Sequence, residues 1–374
     1  MPVRAFSQTS VRFIVVDRAR PSGHGARLMD TTIPRRAKFG LLMKRMAGLL
    51  PLDRTIPADA GGIAMAFCTT MLRPIVLILL GLMALPGAAF AQKIDGTQRT
   101  VVMTAFGPEY AALEGAVVRP HSFAINGMTF VTGMLEGKPV VLMKSGVSVV
   151  NAAMTTQLVL DRFAVRRIVF SGIAGGVDPT LAIGDVIVPE DWGQYLEASF
   201  ARETPQGWRP PESFGEAPPN WRFIYPRGTT VARADRAPQR FFTIPADPAL
   251  IALARKVVPG LVLSACVDIG GQRQCLPRAP RVIVGGTGVT AGIYADNAEF
   301  RDYLHTAWHA RVLDMESAAV IQVAYANDVP GIVFRSLSDL AGGDADANRM
   351  DTFMQLASVN SAKVVRAYLA ALPN

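Results

Sequence analysis

The sequence predicts an α/β protein with one large domain, and three observations predict it. From Thr100 onward, short apolar runs rich in β-branched residues alternate with longer segments of helical period. Several of the short runs are almost continuously apolar, as strands covered on both faces must be. Half of the 374 residues are hydrophobic and only 18% are charged, which excludes a disordered, collagen-like or coiled-coil chain.

The individual elements follow in order from these patterns. The predicted strands are Thr100–Ala105, Met128–Leu135, Pro139–Lys144, Arg167–Ser171, Asp185–Pro189, Arg281–Gly285, Arg311–Asp314 and Gly331–Leu337. The predicted helices are Ser148–Phe163, Asp296–His305, Glu316–Asn327 and Met350–Ala371. The alternation stops at residues 190–280, which we interpret as an insertion with its own substructure, such as a helix over Pro248–Val257.

The net charge of +8 belongs to the first part of the chain. Residues 1–91 contain 12 basic and 4 acidic residues, whereas residues 92–374 contain 26 of each. Because the main body is neutral, the composition does not support a nucleic-acid partner.

Residues 71–91 have the three parts of a secretory signal peptide. Arg73 precedes the apolar run Ile75–Leu85, and small residues at A-x-A spacing end at Ala91. Cleavage before Gln92 would place the domain 92–374 in the periplasm or outside the cell. The alternative is an uncleaved anchor, which would give a membrane contact through the leader alone.

Residues 1–70 precede this signal and show no sustained period. Because an export signal buried inside a chain is rarely recognised, we expect this part to be an untranslated or disordered leader. Met65 or Met71 would then be the true start.

Cysteine usage agrees with export. Cys68 lies in the leader, so Cys266 and Cys275 are the cysteines of the main body, close together in a polar segment. They are expected to form a disulfide in an oxidising compartment, and the alternative is two unpaired thiols. Two cysteines without a neighbouring histidine provide too few ligands for a metal ion.

A glycine-rich segment, Phe170–Val177, directly follows a predicted strand, and Gly184–Val188 comes soon after it. Glycines at the carboxyl end of a strand let the backbone approach a ligand closely, at the edge where open α/β sheets bind ligands. Tight turns need the same glycines, so this segment is not decisive by itself.

Three further segments bring acidic residues to strand ends. Val312–Val320 carries Asp314, Met315 and Glu316 at the start of an apolar helix, Phe334–Leu340 carries Arg335, Ser338 and Asp339, and Ala105–Tyr110 carries Glu109. A carboxylate at such an end can accept both hydroxyls of a ribose, and catalytic residues concentrate there. The alternatives are structural: a favourable helix N-terminus for Asp314 or Glu316, a capping role for Asp339, and a surface ion pair for Arg335.

Together these motifs resemble the purine nucleoside phosphorylase / methylthioadenosine–adenosylhomocysteine nucleosidase superfamily, and they resemble its nucleosidase branch more closely. The resemblance covers about residues 100–189 and 281–372 and includes Lys144–Ala153, the glycine segment, Gly184-Asp185, Asp-Met-Glu316 and Ser-Leu-Ser-Asp339. It implies a single-domain, three-layer sandwich in which helices flank a mixed, partly barrel-like sheet. It implies neither a metal nor an organic cofactor.

The resemblance also implies roles for particular residues. Asp339 would be the general acid at purine N7, Glu109 the base that activates water, and Glu316 the ligand of the ribose hydroxyls, with Met315 against the sugar. The remaining substrate-binding residues implied are Val289 and Thr290 through their backbone, Ile173, Phe106, Met350, Phe353, Ser338 and Arg335. Ile173 and Val289 depart from the residue types common in the family at these positions.

The implied reaction is hydrolysis of a purine nucleoside of the methylthioadenosine or adenosylhomocysteine type to free base and sugar, as in nucleoside catabolism and methionine salvage. A phosphorylase on the same fold is the first alternative, but the arginine that phosphorylases place near the glycine segment is absent here, where Phe170 and Ser171 stand. A secreted nucleoside-binding or storage-like protein is the second alternative. The resemblance further implies a homo-oligomer, most simply a dimer.

Overall fold

A computed structural model describes residues 93–211 and 215–373 of the chain. The predictions for residues 1–91, including the signal peptide, lie outside these residues. No helix in the described part is long and apolar enough to cross a membrane.

The described residues form helices and strands in mixed order. The strands are β1 Arg99–Thr104, β2 Val118–Ile125, β3 Met128–Leu135, β4 Lys138–Lys144, β5 Val165–Gly176, β6 Val186–Val188, β7 Asp191–Gln194, β8 Ala198–Phe200, β9 Arg202–Thr204, β10 Gly207–Arg209, β11 Ile224–Pro226, β12 Thr229–Arg233, β13 Arg236–Phe241, β14 Thr243–Pro245, β15 Cys266–Ile269, β16 Gln272–Cys275, β17 Val282–Val284, β18 Thr287–Thr290, β19 Ala310–Asp314 and β20 Gly331–Asp339. The helices are α1 Gly107–Glu114, α2 Val149–Arg162, α3 Pro248–Val257, α4 Ala298–Trp308, α5 Ser317–Ala326 and α6 Met350–Ala371.

Each strand and helix expected from the sequence is present, and β3, α3 and α6 have the expected bounds. Three elements outside residues 190–280 were missed: α1, β2 and β18. The apolar residues of α1 do not collect on one face, β2 is exposed along most of its length, and β18 has only four residues. None of them therefore carries a clear periodic pattern.

A 12-stranded mixed sheet runs through the described residues in the order β14-β7-β18-β19-β5-β1-β4-β3-β2. Off this path, β20 pairs with β5, β6 pairs with β20, and β17 pairs with β6. Strands β1, β4, β5 and β20 pair in parallel, whereas β2, β3 and β14 pair antiparallel with their neighbours. The expectation of a mixed, partly barrel-like sheet is therefore confirmed.

The long strand β5 is the branch point of this sheet. Along one edge it pairs with β20 from Ile168 to Gly175. Along the other edge it pairs first with β1, up to Phe170, and then with β19, from Gly175 onward. The four residues between these two pairings lack a strand neighbour on that edge, so the sheet opens there.

Helices cover both faces of the sheet. Helices α2 and α5 pack on one face through residues such as Val159 and Val320, and α1, α3 and α6 pack on the other through residues such as Leu113, Leu250 and Tyr368. Helix α4 packs at the end of β18 and β19. The continuously apolar strands are buried on both sides, which confirms the three-layer arrangement.

The segment 190–280 is only partly separate from the sheet. Strands β7 and β14 lie within it and join the central sheet beside β18, so the α/β pattern does not stop there as the sequence had suggested. The strands β8 to β13 form small antiparallel pairs of their own. Strands β15 and β16 form a hairpin in which a disulfide joins Cys266 to Cys275.

Asp185 anchors the end of this segment. Its buried carboxylate accepts hydrogen bonds from Arg278 at 2.9 Å and from the backbone N–H of Arg281 at 3.0 Å. The Gly184-Asp185 motif is therefore part of the framework rather than of the cavity described below.

Candidate active site

A cavity of about 210 Å³ lies where β1 and β19 separate along β5. This volume far exceeds that of one water molecule and accommodates a small organic ligand. The ends of β1, β5, β19 and β20 converge on it, as the sequence predicted for its four motifs. The lining residues are Ala105, Phe106, Glu109, Val147, Ile173, Ala174, Gly175, Ile293, Tyr294, Ala295, Leu313, Asp314, Met315, Glu316, Ser338, Asp339 and Met350.

Glu109 lies in the first turn of α1 and is 1% exposed. Its Oε2 accepts a hydrogen bond from the backbone N–H of Ala105 at 2.5 Å, and its Oε1 accepts one from Ile173 at 2.8 Å. Ile173 can donate because it lies in the unpaired stretch of β5. Burial raises the pKa of Glu109 above its usual range, although Arg335 and these donors act in the opposite direction.

Arg335, in the middle of β20, lies fully buried among three carboxylates. Its Nε is 2.7 Å from Asp314 Oδ2, its Nη2 is 3.5 Å from Glu316 Oε2, and its Nη1 is 3.7 Å from Glu109 Oε1. The guanidinium also lies over the ring of Phe170, with Cζ 4.1 Å from the centroid. Arg335 thus pairs with buried acids of the site and not with a surface acid.

Gly172 makes room for this cluster. A Cβ at this position would lie 1.7 Å from Arg335 Nη1 and 2.7 Å from Glu109 Oε1. The first glycine of the sequence motif is therefore required by the packing of two charged side chains, not by a turn.

Glu316 precedes α5 directly and is 5% exposed. Its Oε1 accepts a hydrogen bond from the backbone N–H of Ser148 at 2.8 Å, which joins the β19 end to the start of α2. Burial raises its pKa to about 7; Arg335 opposes this rise, and Asp314 and Glu109 add to it. At neutral pH this carboxyl is therefore close to its own titration midpoint.

Asp339 ends β20 and is 4% exposed. Its Oδ2 accepts a hydrogen bond from the Ser338 hydroxyl at 2.9 Å, and its Oδ1 accepts bonds from the backbone N–H of Ala341 at 2.9 Å and from Asn348 Nδ2 at 3.4 Å. Burial raises the pKa of Asp339 against the effect of these three donors. A raised pKa favours the protonated form that a general acid needs.

The structure brings most of the sequence-predicted residues together. Those that line the cavity are Glu109, Asp339, Glu316, Met315, Ile173, Phe106, Met350 and Ser338. Arg335 does not line the cavity itself, but it contacts Glu109 and Glu316, which do.

Val289, Thr290 and Phe353, also expected to bind substrate, are not among the lining residues. Val289 packs in the core under α4, and the Thr290 carbonyl accepts a hydrogen bond from the backbone N–H of Tyr195 at 3.2 Å. The Thr290 hydroxyl donates to Asp314 at 2.5 Å, so this residue supports the acidic cluster from behind. Phe353 packs against Leu276, one turn along α6 from Met350.

Sequence reasoning missed several lining residues, most clearly Ile293 and Tyr294. They follow the end of β18, so the rule that found the other motifs applies to them too. The rule failed because the four-residue β18 was not predicted. Val147 and Asp314 also line the cavity without having been assigned a role.

The ionisable residues that line the cavity are mostly acidic. Among the lining residues of the described chain, four are carboxylic acids and none is Lys or Arg. No group of three or more His, Cys, Asp or Glu side chains in residues 93–211 and 215–373 is arranged to hold a metal ion.

The chain is similar to proteins of known class over most of its length. The family model of the phosphorylase superfamily matches residues 99–370. The 5′-methylthioadenosine/S-adenosylhomocysteine nucleosidases of Mycobacterium bovis and Mycobacterium tuberculosis are each 32% identical to it over 275 residues, which cover 72% of this chain and 96% of theirs. Bark storage protein B of Populus deltoides is 26% identical over 304 residues, 75% of this chain and 91% of its own.

Solved structures share the fold. A 5′-methylthioadenosine/S-adenosylhomocysteine nucleosidase from S. pneumoniae, bound to the transition-state inhibitor MT-ImmA, has a TM-score of 0.56 at 22% identity and covers 74% of this chain and 100% of its own. Futalosine hydrolase of Helicobacter pylori has a TM-score of 0.55 at 21% identity, with 74% and 98% covered. The solved structures, at 21–22% identity, show the fold alone. The family model and the mycobacterial relatives show that the chain belongs to the phosphorylase superfamily, in its nucleosidase branch.

Proposed function

We propose that the protein hydrolyses the N-glycosidic bond of a purine nucleoside of the 5′-methylthioadenosine or S-adenosylhomocysteine type, with free purine base and sugar as products. One observation carries the proposal: Glu109, Glu316 and Asp339, each with a raised pKa, line one cavity that contains no basic side chain. The mycobacterial nucleosidases, at 32% identity, support the same reaction.

Asp339 would act as the acid. A purine leaves a ribose more easily as a neutral base than as an anion, so a proton delivered to N7 lowers the barrier. The raised pKa of Asp339 keeps this proton available, because burial disfavours the charged form. The Ser338 hydroxyl, 2.9 Å from Oδ2, would hold the carboxyl in place.

Glu109 would accept the proton of the attacking water. The backbone donors of Ala105 and Ile173 fix its carboxylate between β1 and β5, at the floor of the cavity. Its raised pKa improves its strength as a base.

Glu316 would bind the ribose hydroxyls, with Met315 beside the sugar. The ribose becomes cationic as the glycosidic bond breaks, and the carboxylates that line the cavity would stabilise that charge. Apolar Phe106 and Met350 would contact the 5′-thio group.

The charge of the cavity favours water over phosphate as the nucleophile. Capture of a phosphate dianion ordinarily requires Arg or Lys donors. Arg335 is the basic group close to the cavity, and its guanidinium already faces three carboxylates. Phosphate would therefore meet a negative lining.

We also propose that the enzyme is exported and works as a homodimer in nucleoside catabolism, such as methionine salvage. The signal-like residues 71–91 and the disulfide between Cys266 and Cys275 support export, since disulfides persist in oxidising compartments. Mass determination of the secreted protein and its sedimentation velocity would test these two points. A mass that includes residues 1–64 would contradict the proposed start, and a monomer would contradict the dimer.

Product analysis tests the reaction itself. Residues 92–374 would be incubated with methylthioadenosine, adenosylhomocysteine, adenosine and inosine, with and without phosphate, and the products separated by chromatography. Free base and free sugar in phosphate-free buffer are expected. Cleavage only with phosphate would establish a phosphorylase, and tight binding without cleavage would leave a non-catalytic nucleoside-binding protein.

A further inference from the structure

The side chain of Asn348, in the loop between β20 and α6, joins four groups around the cavity. Its Nδ2 donates to Asp339 Oδ1 at 3.4 Å and to Asp296 Oδ1 at 3.1 Å. Its Oδ1 accepts from the Tyr294 hydroxyl at 2.8 Å and from the backbone N–H of Met350 at 2.9 Å. A side-chain amide has two donor and two acceptor positions, and all four are used here.

We propose that Asn348 is a positioning residue that determines how Asp339 carries its proton, and that Tyr294 holds Asn348 in place from the opposite loop. This inference rests on the proposed function, in which Asp339 is the acid.

The neighbours of Asp339 determine which of its carboxyl oxygens bears the proton. Asp339 Oδ1 faces two N–H donors, from Ala341 and Asn348, and neither of these can accept a hydrogen bond. Oδ2 faces the Ser338 hydroxyl, which can rotate and accept. The proton of the neutral acid therefore belongs on Oδ2. Without Asn348, Oδ1 would lose one donor and the preference would weaken.

Asn348 also affects the acid strength of Asp339. The charged and titratable groups near Asp339 are Asp344 on its own loop, Asp296 and Tyr294 on the opposite loop, and Arg301 of α4, whose Nε donates to the Gly176 carbonyl at 2.9 Å. Burial and Asp344 oppose ionisation of Asp339. The donor from Asn348 favours ionisation, so it keeps this buried acid able to release its proton.

Asn348 is also linked to the surface that would bind substrate. Tyr294 and Met350 both line the cavity, and both are bonded to the Asn348 amide oxygen. Burial and the nearby carboxylates raise the pKa of the Tyr294 phenol to about 12, so it remains a donor at physiological pH. At 3.4 Å the bond from Asn348 to Asp339 is long, as catalytic hydrogen bonds often are before substrate binds. A nucleoside that packs against Tyr294 and Met350 would draw the two loops together and shorten it.

The pH profile of hydrolysis tests the proposal, with kcat and kcat/KM measured from about pH 5 to about pH 10. Asn348→Leu removes the donor, so the alkaline limb should move to higher pH and kcat at neutral pH should fall about tenfold. Asn348→Asp keeps the acceptor for Tyr294 and Met350 but replaces the donor with a carboxylate, so the limb should move further. Tyr294→Phe should move it in the same direction by less and raise KM.

Ala347→Asp is the matched control, because Ala347 is exposed and the variant adds the same charge one residue away without replacing the amide. It should displace the limb only slightly. If Asn348→Leu fails to fold, Asn348→Asp, which retains the bond from the Met350 N–H, carries the test.

Two results would overturn the proposal: an alkaline limb that stays in place in both Asn348 variants, or an equal displacement in Ala347→Asp. Either result, together with an active wild type, would refute the role of Asn348 alone. A wild type that cleaves no nucleoside would refute the proposed function instead.

Discussion

The guanidinium Nη1 of Arg335 lies 3.7 Å from Oε1 of Glu109, in the space that a side chain at position 172 would occupy. Both residues are buried, and each also contacts other groups of the cavity. One cation is thus placed among three acids, which limits their repulsion without removing it. Burial raises the pKa values of Glu109 and Glu316, and Arg335 acts against this rise in both.

Gly172→Ala should disrupt this arrangement. The new Cβ would overlap Arg335 Nη1, so the guanidinium must shift and release Glu109 from its position. We expect kcat/KM to fall by about 100-fold or more, together with a lower melting temperature.

Gly115→Ala is the control for this substitution. Gly115 has a φ of −64° at the end of α1, and a Cβ there would meet nothing within 4 Å. It should retain both activity and stability, so equal behaviour of the two variants would contradict the packing argument.

Asp339→Asn should remove most turnover while the fold stays intact. The amide cannot donate a proton to the leaving base, so we expect kcat to fall by about 10²- to 10⁴-fold, or about 3–5 kcal/mol at the transition state. Asp346→Asn, at an exposed position on the following loop, should stay close to the wild type. Steady-state kinetics and circular dichroism would measure both, and unchanged kcat in Asp339→Asn would refute its role as the acid.

Stability should fall as pH rises through neutrality. The unfolded chain releases the Glu316 proton near its ordinary pKa of 4.5, whereas the folded protein holds it to about pH 7. Between these values the folded state binds more protons, so the free energy of unfolding decreases with rising pH, by up to about 3 kcal/mol. The raised pKa values of Glu109 and Asp339 act in the same direction.

Thermal melting from about pH 5 to about pH 8.5 would measure this slope. Glu316→Gln cannot titrate and should flatten it, while Arg335 keeps Asp314 and Glu109 as partners. In the kinetic assay the same variant should weaken substrate binding and rate together. A slope identical to that of the wild type would contradict the assigned pKa of Glu316.

Loss of the disulfide should destabilise the hairpin β15–β16. The bridge closes a loop with a sequence separation of 9, for which removal costs about 2–3 kcal/mol. The double variant Cys266→Ser/Cys275→Ser should therefore unfold at lower denaturant concentration. Because Leu276 packs on Phe353, one turn from Met350, we also expect a modest rise in KM.

A reducing agent provides the control for that experiment. It should lower the stability of the wild type to that of the double variant and leave the double variant unchanged. Equal stability of oxidised wild type and double variant would show that the bridge adds nothing.

Much of the fold could be predicted from the sequence because its strands and main helices carry strong patterns. Strand β5 is buried on both faces and reads as a mostly apolar run, whereas the apolar residues of helix α6 repeat with helical period. The exposed β2, the short β18 and the first helix α1 lack such a pattern, since their positions depend on neighbours distant in the chain.

The site was partly predictable for a related reason. Glu109, Glu316 and Asp339 follow or end strong strands, and the carboxyl ends of neighbouring strands meet at one edge of a sheet. Tyr294 and Asn348 belong to loops whose contact is made only in three dimensions, and no local pattern marks it.

The sequence by itself determined the alternation of strands and helices, the neutral main body, the pair of cysteines and the acids at the strand ends, because these are local properties of composition and period. The tertiary structure decided that Arg335 faces inward among three acids, that the Thr290 hydroxyl donates to Asp314, and that Asn348 reaches Asp339. These contacts lie around the point where the strand neighbour of β5 changes from β1 to β19. Burial at this point raises the pKa values of the acids that line the cavity, Glu109, Glu316 and Asp339. A linear pattern cannot encode that change of neighbour, because Phe170 pairs with Met103, 67 positions away, and Gly175 pairs with Leu313, 138 positions away.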